Sequence, residues 1–214
     1  VGPEKPIVEG ITDYLIESYP DLNVFAPTKS NSQIESSKIF SRQLMDNSNL
    51  SMYSPNYEII HNNINTNTNT NNNSINNTNT NTNTNYHIES IINRFGENFV
   101  VKPDGLTSGK GVKLFGEHLK NKKDTSDYIN QLLNENNSVL IEEKLIGEEF
   151  SIFSVTDGYN IQHSPPFQDF KRLHGSSGPM TGGMGCQSFG EELPPFLETE
   201  QDIKIAENIN KEII

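Results

Sequence analysis

Apolar residues recur along the chain in two rhythms that alternate with each other. Recurrence at every third or fourth position predicts amphipathic helices, and short β-branched or aromatic runs between turn signals predict strands. The predicted helices cover residues 7–19, 30–44, 87–95, 127–133 and 200–214. The predicted strands cover residues 23–26, 99–101, 112–115, 138–141 and 150–155, and residues 162–188 are predicted to be mostly loop. Alternating strands and helices are typical of an α/β fold.

Residues 62–85 differ from the rest of the chain in composition. Of these 24 residues, 14 are Asn and 7 are Thr. Such a segment buries too little apolar surface to offset the cost of ordering its backbone, about 1–2 kcal/mol per residue. We therefore expect a disordered insertion carried by a surface loop, with self-association of the polar tract as the alternative.

The most informative stretch is residues 99–115, where two predicted strands flank a glycine-rich loop. The loop holds Gly105, Gly109 and Gly111 with Lys110 at its tip, and Lys102 ends the first strand. Successive backbone amides in such a loop form a concave surface that binds anions. The spacing matches neither a Walker A loop nor a dinucleotide fingerprint. The pattern indicates a polyphosphate site, and a flexible hairpin loop with a solvated lysine is the alternative.

Composition narrows the class of protein. The net charge is −12 and the sequence pI is about 4.8, which argues against a general nucleic-acid binder. A single cysteine, Cys186, permits no intrachain disulfide and fits a reducing cytoplasm. No apolar run is long enough to predict a membrane span. The chain begins at Val1 rather than Met and ends within a helical pattern, so we expect it to be a piece of a longer polypeptide.

Six motifs in fixed order carry a resemblance to a known family. They are Val1-Gly-Pro-Glu4-x-Pro6, Glu35-Ser-Ser-Lys38-x-Phe40, Lys102-x-Asp-Gly-Leu-x-x-Gly-Lys-Gly-Val112, Ile141-Glu-Glu-x-Leu-x-Gly-Glu-Glu149, Gln168-Asp-x-Lys-Arg172 and Gly178-Pro-x-Thr-Gly-Gly-Met-Gly185. Together they resemble the phosphoribosylamine–glycine ligases (glycinamide ribonucleotide synthetases), which are ATP-grasp enzymes of purine biosynthesis. The resemblance spans nearly the whole chain apart from the Asn/Thr tract, and the 178–185 motif is the most family-specific.

The resemblance implies a partial ATP-grasp fold of the α/β (α+β) class, with a small lid subdomain and a remnant of the N-terminal pre-ATP-grasp domain. Residues 1–27 would end that N-terminal domain, and residues 28–61 would hold a linking helix and the start of the ATP-grasp region. Residues 62–85 are the insertion. Residues 86–148 would form the lid subdomain, and residues 149–214 the first part of the core and substrate domain.

The resemblance also implies roles for single residues. Lys38 and Lys102 would contact the α and β phosphates of ATP, and Gly105, Gly109, Lys110 and Gly111 would close over the phosphates. Glu142, Glu143 and Leu145 would belong to the hinge that holds adenine. Glu149, or else Glu148, would accept hydrogen bonds from the ribose hydroxyls, as a carboxylate can from a diol.

On the substrate side, the resemblance assigns Asp169, Lys171 and Arg172 to the reacting groups. The implied contacts with glycine and 5-phosphoribosylamine are Glu4, Thr181, Gly182, Gly183, Met184 and Gly185. The chain departs from the family pattern at three positions. Lys144 stands where an aromatic residue is usual, Phe170 replaces a histidine, and Ala26 replaces a glycine.

The implied function is ATP-dependent carbon–nitrogen ligation of glycine to 5-phosphoribosylamine in the cytoplasm. The reaction would pass through glycyl phosphate and give glycinamide ribonucleotide, ADP and phosphate. ATP and Mg²⁺ are the expected cofactors, and we expect the Mg²⁺ ligands outside this chain and the 214 residues alone to be inactive. Two alternatives stay open, a nucleotide-binding ATP-grasp module without catalysis and an ATP-grasp ligase for another carboxylate and amine. Further purine-pathway domains beyond either end are also left open.

Overall fold

A computed structural model describes residues 3–62, 81–107, 111–136, 138–173, 178, 180–190 and 192–214. Most of the predicted disordered tract, residues 63–80, lies outside the described residues. The chain divides into two compact units. Unit 1 contains the described residues within 1–41, 55–107 and 111–144, and unit 2 contains those within 42–54 and 145–214.

The helices and strands follow one another in a mixed order. The helices are α1 (Glu4–Glu9), α2 (Ile11–Ser18), α3 (Gln33–Ser36), α4 (Lys38–Asn47), α5 (Asn81–Phe95), α6 (Lys122–Asn136) and α7 (Gln201–Ile213), with a short 3₁₀ turn at Ser51–Tyr53. The strands are β1 (Tyr57–His61), β2 (Phe99–Pro103), β3 (Lys113–Leu114), β4 (Ser138–Glu143), β5 (Phe150–Ser151), β6 (Ser154–Thr156), β7 (Ile161–His163), β8 (Phe167–Arg172) and β9 (Met180–Ser188).

Unit 1 is built on a four-stranded antiparallel sheet in the order β1-β4-β2-β3. One face of the sheet packs against α5 and α6. Its core contains Ile88, Ile91, Ile92, Phe99, Val101, Ile129, Leu132, Leu133, Val139 and Ile141. Because side chains alternate along a strand, Lys102 and Glu142 lie on the other face. The predicted hairpin around the glycine loop is confirmed, since Val100 pairs with Leu114 and Val101 with Lys113.

The N-terminal part of unit 1 differs from the sequence prediction in two places. The predicted helix over residues 7–19 is two helices, because Gly10 adopts a φ of 102° between α1 and α2. The predicted strand over residues 23–26 is wrong, since this stretch is irregular and pairs with no strand among the described residues. The two β-forming residues of this stretch, Val24 and Phe25, cannot make a strand without a partner for the backbone groups.

Several predicted helices have different bounds. The predicted helix over 30–44 is interrupted at Ser37, whose backbone is extended between α3 and α4. Helix α5 begins at Asn81 rather than His87, so the last residues of the Asn/Thr tract are helical. Helix α6 extends the predicted helix over 127–133 by about a turn at each end.

Unit 2 contains the largest error of the sequence reading. Residues 162–188 were predicted to be mostly loop, but β8 and β9 pair with β5 into a three-stranded antiparallel sheet. The predicted strand over 150–155 is two short strands, β5 and β6, and β6 pairs with β7 across a turn that contains Asp157. Asn210 of α7 donates to Ser154 Oγ at 2.7 Å and to the Ile152 carbonyl at 3.2 Å, which fixes α7 on this hairpin. Within the described ranges, no helix combines the length and apolar character that crossing a membrane requires.

Candidate functional site

Lys102 and Glu142 form the most buried ion pair among the residues described. Lys102 lies on β2 and Glu142 on the neighbouring β4, and the Lys102 ammonium contacts Glu142 Oε2. The exposed fractions of the two side chains are 24% and 2%. A carboxylate that is so completely removed from water requires a close cation, so this pair holds the Lys102 ammonium in a fixed place on the sheet.

The entrance of the glycine loop is fastened to the start of α4. The Asp104 carboxylate accepts hydrogen bonds from Ser37 Oγ at 2.9 and 3.1 Å and from the Ile39 amide at 3.2 Å. Ser37 Oγ itself accepts from the Phe40 amide at 3.0 Å. Both side chains therefore satisfy amide groups that the first turn of a helix leaves free. This cap explains why the chain breaks at Ser37 and why α4 begins beside the loop.

Lys38 is the second cation at this entrance. Its Nζ donates to the Gly105 carbonyl at 2.7 Å, and its side chain is half-buried. Burial lowers the pKa of Lys38, and the neighbouring Lys102 cation lowers it further, while Asp104, Glu35 and Glu142 oppose the shift. An anion placed between the two lysines would relieve their mutual repulsion and stabilise the charged form of Lys38. The predicted phosphate lysines are therefore brought together within unit 1.

The exit of the loop is fastened by a residue that the sequence reading missed. Tyr128 of α6 is 7% exposed, and its hydroxyl donates to the Gly111 carbonyl at 2.6 Å. The Lys113 ammonium lies 3.7 Å from the centroid of the same ring. The sequence does contain a signal for this contact, since Tyr128 lies on the apolar face of a predicted helix. A buried tyrosine hydroxyl usually has a hydrogen-bond partner. The predicted loop residues Gly109 and Lys110 lie outside the described residues.

The predicted adenine hinge separates into side chains with different surroundings. Glu142 faces Lys102, whereas Glu143 lies on the opposite face of β4, where its Oε2 accepts from Asn56 Nδ2 at 2.8 Å. Leu145 is 68% exposed and follows the boundary between the two units. An open cavity of about 420 Å³ lies on the Glu143 side, away from Lys102, and is lined by Asn56, Tyr57, Glu58, Arg94, Phe95, Asn98 and Glu143. The adenine role of the hinge residues stays a prediction.

In unit 2, the predicted reacting residues lie together on β8. Asp169 Oδ2 accepts from Ser151 Oγ at 2.6 Å and lies 3.7 Å from the Lys171 ammonium. The Asp169 amide donates to the Glu149 carbonyl at 3.1 Å, so Glu149 lies beside this group. Sequence reasoning missed Ser151, a small polar residue on a two-residue strand without any distinguishing pattern.

The predicted substrate loop is instead part of β9. Arg172 Nη1 donates to the Gly178 carbonyl at 2.8 Å, and Thr181 Oγ1 donates to the Lys171 carbonyl at 2.8 Å. These contacts draw the end of β8 and the start of β9 together. Residues 183–185 are exposed along β9, and Gly182 belongs to the same strand.

Three further predicted groups can be placed. Glu4 is exposed on α1 in unit 1. Glu148, the alternative ribose ligand, accepts from Gln168 Nε2 at 3.1 Å, while Glu149 is exposed. In the part of the chain that the structure describes, no three His, Cys, Asp or Glu side chains are grouped so that they could hold a metal ion.

Comparisons with known proteins identify the family. The sequence profile described as Phosphoribosylglycinamide synthetase, ATP-grasp (A) domain, matches residues 36–214. A phosphoribosylamine–glycine ligase of Methanopyrus kandleri is 33% identical over an alignment of 205 residues, which covers 94% of this chain and 40% of that protein. The corresponding ligase of Methanocaldococcus jannaschii is 34% identical over 224 residues, covering the whole of this chain and 44% of that protein. The chain thus spans less than half the length of these relatives.

Solved structures agree with this result. The crystal structure of a phosphoribosylamine–glycine ligase from Thermotoga maritima matches with a TM-score of 0.63 and 26% identity, over 89% of this chain and 42% of that one. The D-alanyl-alanine synthetase A of Vibrio cholerae matches with a TM-score of 0.64 at 12% identity, over 96% of this chain and 54% of that one, which bears on the fold alone. The predicted ATP-grasp fold is confirmed, and the chain belongs to the phosphoribosylglycinamide synthetase ATP-grasp (A) domain family.

Proposed function

We propose that this chain supplies the ATP-binding part of a phosphoribosylamine–glycine ligase. The complete enzyme would join glycine to 5-phosphoribosylamine through an amide bond, with conversion of ATP to ADP and phosphate. Family membership supports the reaction, and the names of the relatives support the substrates. One observation supports the proposal of ATP binding most directly. Lys38 and Lys102 lie at the entrance of a glycine loop, where Lys102 is held by Glu142.

In this proposal, unit 1 binds and orients the phosphates of ATP. Lys38 and Lys102 place positive charge beside the α and β phosphates, where the leaving ADP gains negative charge, and the loop amides add further donors. Glycine is activated as glycyl phosphate before the amine of 5-phosphoribosylamine attacks. Because that acyl phosphate reacts with water, the loop that covers the phosphates would also exclude solvent from it.

In unit 2, Asp169, Lys171 and Arg172 would hold the amino acid and the sugar phosphate. Arg172 suits a carboxylate or phosphate because its guanidinium presents several donors in one plane. Mg²⁺, when bound to such ligases, neutralises charge on the phosphates. Among the described residues, no three His, Cys, Asp or Glu side chains form a cluster for a metal ion, and no step of this proposal depends on a metal ligand from this chain.

The remaining parts of the proposal concern the context of the chain. The relatives are more than twice as long as the matched region, so we expect the complete gene product to perform ligation and the 214 residues alone to lack it. A cytoplasmic location accompanies the proposal and is supported by the single cysteine.

The test is to supply the complete gene product with ATP, Mg²⁺, glycine and freshly prepared 5-phosphoribosylamine, and to measure ADP and glycinamide ribonucleotide together. We expect ADP release that requires both co-substrates and matches the product in amount. Lys102→Ala should raise the KM for ATP by about tenfold or more, since a charge-assisted contact with phosphate is removed. Lys123→Ala, which removes an exposed lysine paired with Asp127, is the matched control and should leave the KM unchanged. Nucleotide binding without ligation would favour the non-catalytic module, and ligation of another carboxylate would favour the other alternative.

A further inference from the structure

Tyr128 occupies an unusual position at the exit of the glycine loop. Its ring belongs to the hydrophobic core of unit 1, among Ile129, Leu132 and Leu133 of the same helix, while its hydroxyl leaves that core to bind the Gly111 carbonyl at 2.6 Å. A backbone carbonyl at the end of a loop is therefore tied to a side chain of the buried core. A tyrosine hydroxyl keeps its proton at neutral pH and acts as a donor, and burial, followed by Glu135, raises the pKa of Tyr128 further.

The backbone at Gly111 is crowded as well as tied. Its φ is 88°, and a Cβ at this position would lie 3.0 Å from Pro103 Cγ and 3.5 Å from the Tyr128 hydroxyl oxygen. Glycine is thus required both for the backbone conformation and for the close approach. Pro103 ends β2 directly after Lys102, so the loop exit returns to the strand that carries the phosphate lysine.

The hydrogen bond to Gly111 also sets the direction of the next amide. In a planar trans peptide, the carbonyl and the following N–H point in opposite directions. Because the Gly111 carbonyl points to Tyr128 on α6, the amide of Val112 points away from α6. Helix α6 covers the sheet face that carries Val101, and Lys102 lies on the other face. The peptide after Gly111 is therefore oriented with its donor away from α6 and from the core of unit 1.

The residues on either side of the loop are then held by contacts with two different helices, the first turn of α4 and α6. At the entrance, Asp104 and Gly105 are held by the first turn of α4 and by Lys38. At the exit, Gly111 is held by Tyr128 of α6. Because the peptides at 104–105 and 111 are already held in place, a ligand that contacts them costs less conformational entropy to bind, which favours binding.

From these contacts we propose that Tyr128 is a positioning residue for ATP, which acts by holding the Gly111 peptide at the exit of the phosphate loop. It does not touch the nucleotide. This inference rests on the proposed function, since it assumes that the loop binds the phosphates. The Lys113 ammonium over the Tyr128 ring adds a second contact that holds the ring in place.

The test compares Tyr128→Phe with Tyr159→Phe in the complete gene product. Both variants lose one hydroxyl and keep the ring, but Tyr159 lies at a turn and is 96% exposed. Loss of one neutral hydrogen bond at the loop should raise the KM for ATP in Tyr128→Phe by about threefold to tenfold. The kcat at saturating ATP and the KM for glycine should stay within about twofold of the wild-type values, because the missing contact serves ATP binding alone. Tyr159→Phe should match the wild type in every constant.

A second measurement separates positioning from a general loss of stability. Amide hydrogen exchange should accelerate in Tyr128→Phe around Gly111 and Val112, while the amides of β2 and β4 keep their protection. An unchanged KM for ATP, or faster exchange spread evenly over the whole unit, would overturn the proposal. Wild-type protein that binds no ATP would overturn the proposed function together with this inference. Wild-type protein that binds ATP, with an unchanged KM in Tyr128→Phe, would overturn this inference alone.

Discussion

The Lys102–Glu142 pair gives the sharpest prediction of stability. In Lys102→Met, the Glu142 carboxylate keeps its position in the sheet at 2% exposure but loses the ammonium that contacts it. Breaking a buried pair from one side typically costs about 3–5 kcal/mol. Protonation of the carboxyl limits the loss, because neutralising a glutamate of ordinary pKa costs about 3.7 kcal/mol at pH 7. With Lys38 still nearby, we expect unit 1 to lose about 2–4 kcal/mol of unfolding free energy at pH 7.

The direction in which stability changes with pH distinguishes the loss of the ammonium beside Glu142 from a simple loss of packing. Without the ammonium, the Glu142 carboxyl is driven towards its protonated form in the folded variant, so the folded state binds more protons than the unfolded state. The stability of the variant therefore falls as pH rises above the ordinary glutamate pKa. Protonation costs only about 1 kcal/mol at pH 5, so the deficit relative to the wild type should shrink to about that value. Adding Glu142→Gln to Lys102→Met should recover part of the loss at pH 7, because the buried group no longer ionises.

The assay must report on unit 1 by itself, since the two units need not unfold together. The chain contains no tryptophan, so amide hydrogen exchange in β2 and β4 is a suitable measure of the free energy. Lys123→Met, which removes a lysine from an exposed pair with Asp127, is the control and should change little. Equal losses in the two variants, or a deficit in Lys102→Met that is the same at pH 5 and pH 7, would refute the reasoning.

Two further predictions follow from local contacts. Asp104→Ala should destabilise unit 1 by about 1–2 kcal/mol in the same exchange assay, because α4 loses a capping acceptor. A loss no larger than that of Asp21→Ala, which removes an exposed carboxylate of unit 1, would contradict the assigned role. The amides of Asn160 and Tyr159 and the side chain of Asn160 hold the pKa of Asp157 at about 2, against an ordinary 3.8. The resulting stabilisation of the β6–β7 turn should be complete above pH 3.8 and be lost as pH falls through 2. A carboxyl ¹³C titration of Asp157 measures the pKa, and the pH-dependent stabilisation of the turn should be absent in Asp157→Asn.

The sequence was sufficient to predict the elements of unit 1 with strong apolar patterns. Phe99–Val101 and residues 138–141 are uninterrupted β-forming runs, and both are central strands of the sheet. The helix over 127–133 was predicted because Ile129, Leu132 and Leu133 recur at helical spacing, and all three are buried. These elements carry their burial pattern in their own residues, so local reading is adequate.

Strands β8 and β9 could not be predicted in the same way. Residues 180–188 contain three glycines and few β-formers, a composition that is depleted in strands. The strand exists because its backbone pairs with β8 over Phe167–Arg172, a contact that depends on register and not on side-chain pattern. The reverse error at residues 23–26 has the same origin, since β-forming residues there find no partner strand among the described residues.

The acidic run at Glu142 and Glu143 shows what register adds to a candidate site. As sequence, the two glutamates are equivalent members of one hinge motif. In the sheet they point to opposite faces, and the pairing of Lys102 with Leu140 places only Glu142 within reach of the Lys102 ammonium. Strand alternation could have separated the two residues in advance, but the choice of which one meets Lys102 required the antiparallel register of β2 and β4.

The same contacts bear on how an acidic chain can hold an anion. Lys38 donates to the neutral Gly105 carbonyl, and Lys102 contacts the charged Glu142. Exchanging a carbonyl for a phosphate oxygen strengthens the hydrogen bond of Lys38, whereas Lys102 would gain nothing by leaving a buried carboxylate. An ammonium has three donors, so Lys102 can keep Glu142 and still reach a phosphate. In the proposed complex with ATP, Glu142 would then anchor the Lys102 ammonium instead of competing for it, and Lys38 would be the lysine whose contacts change.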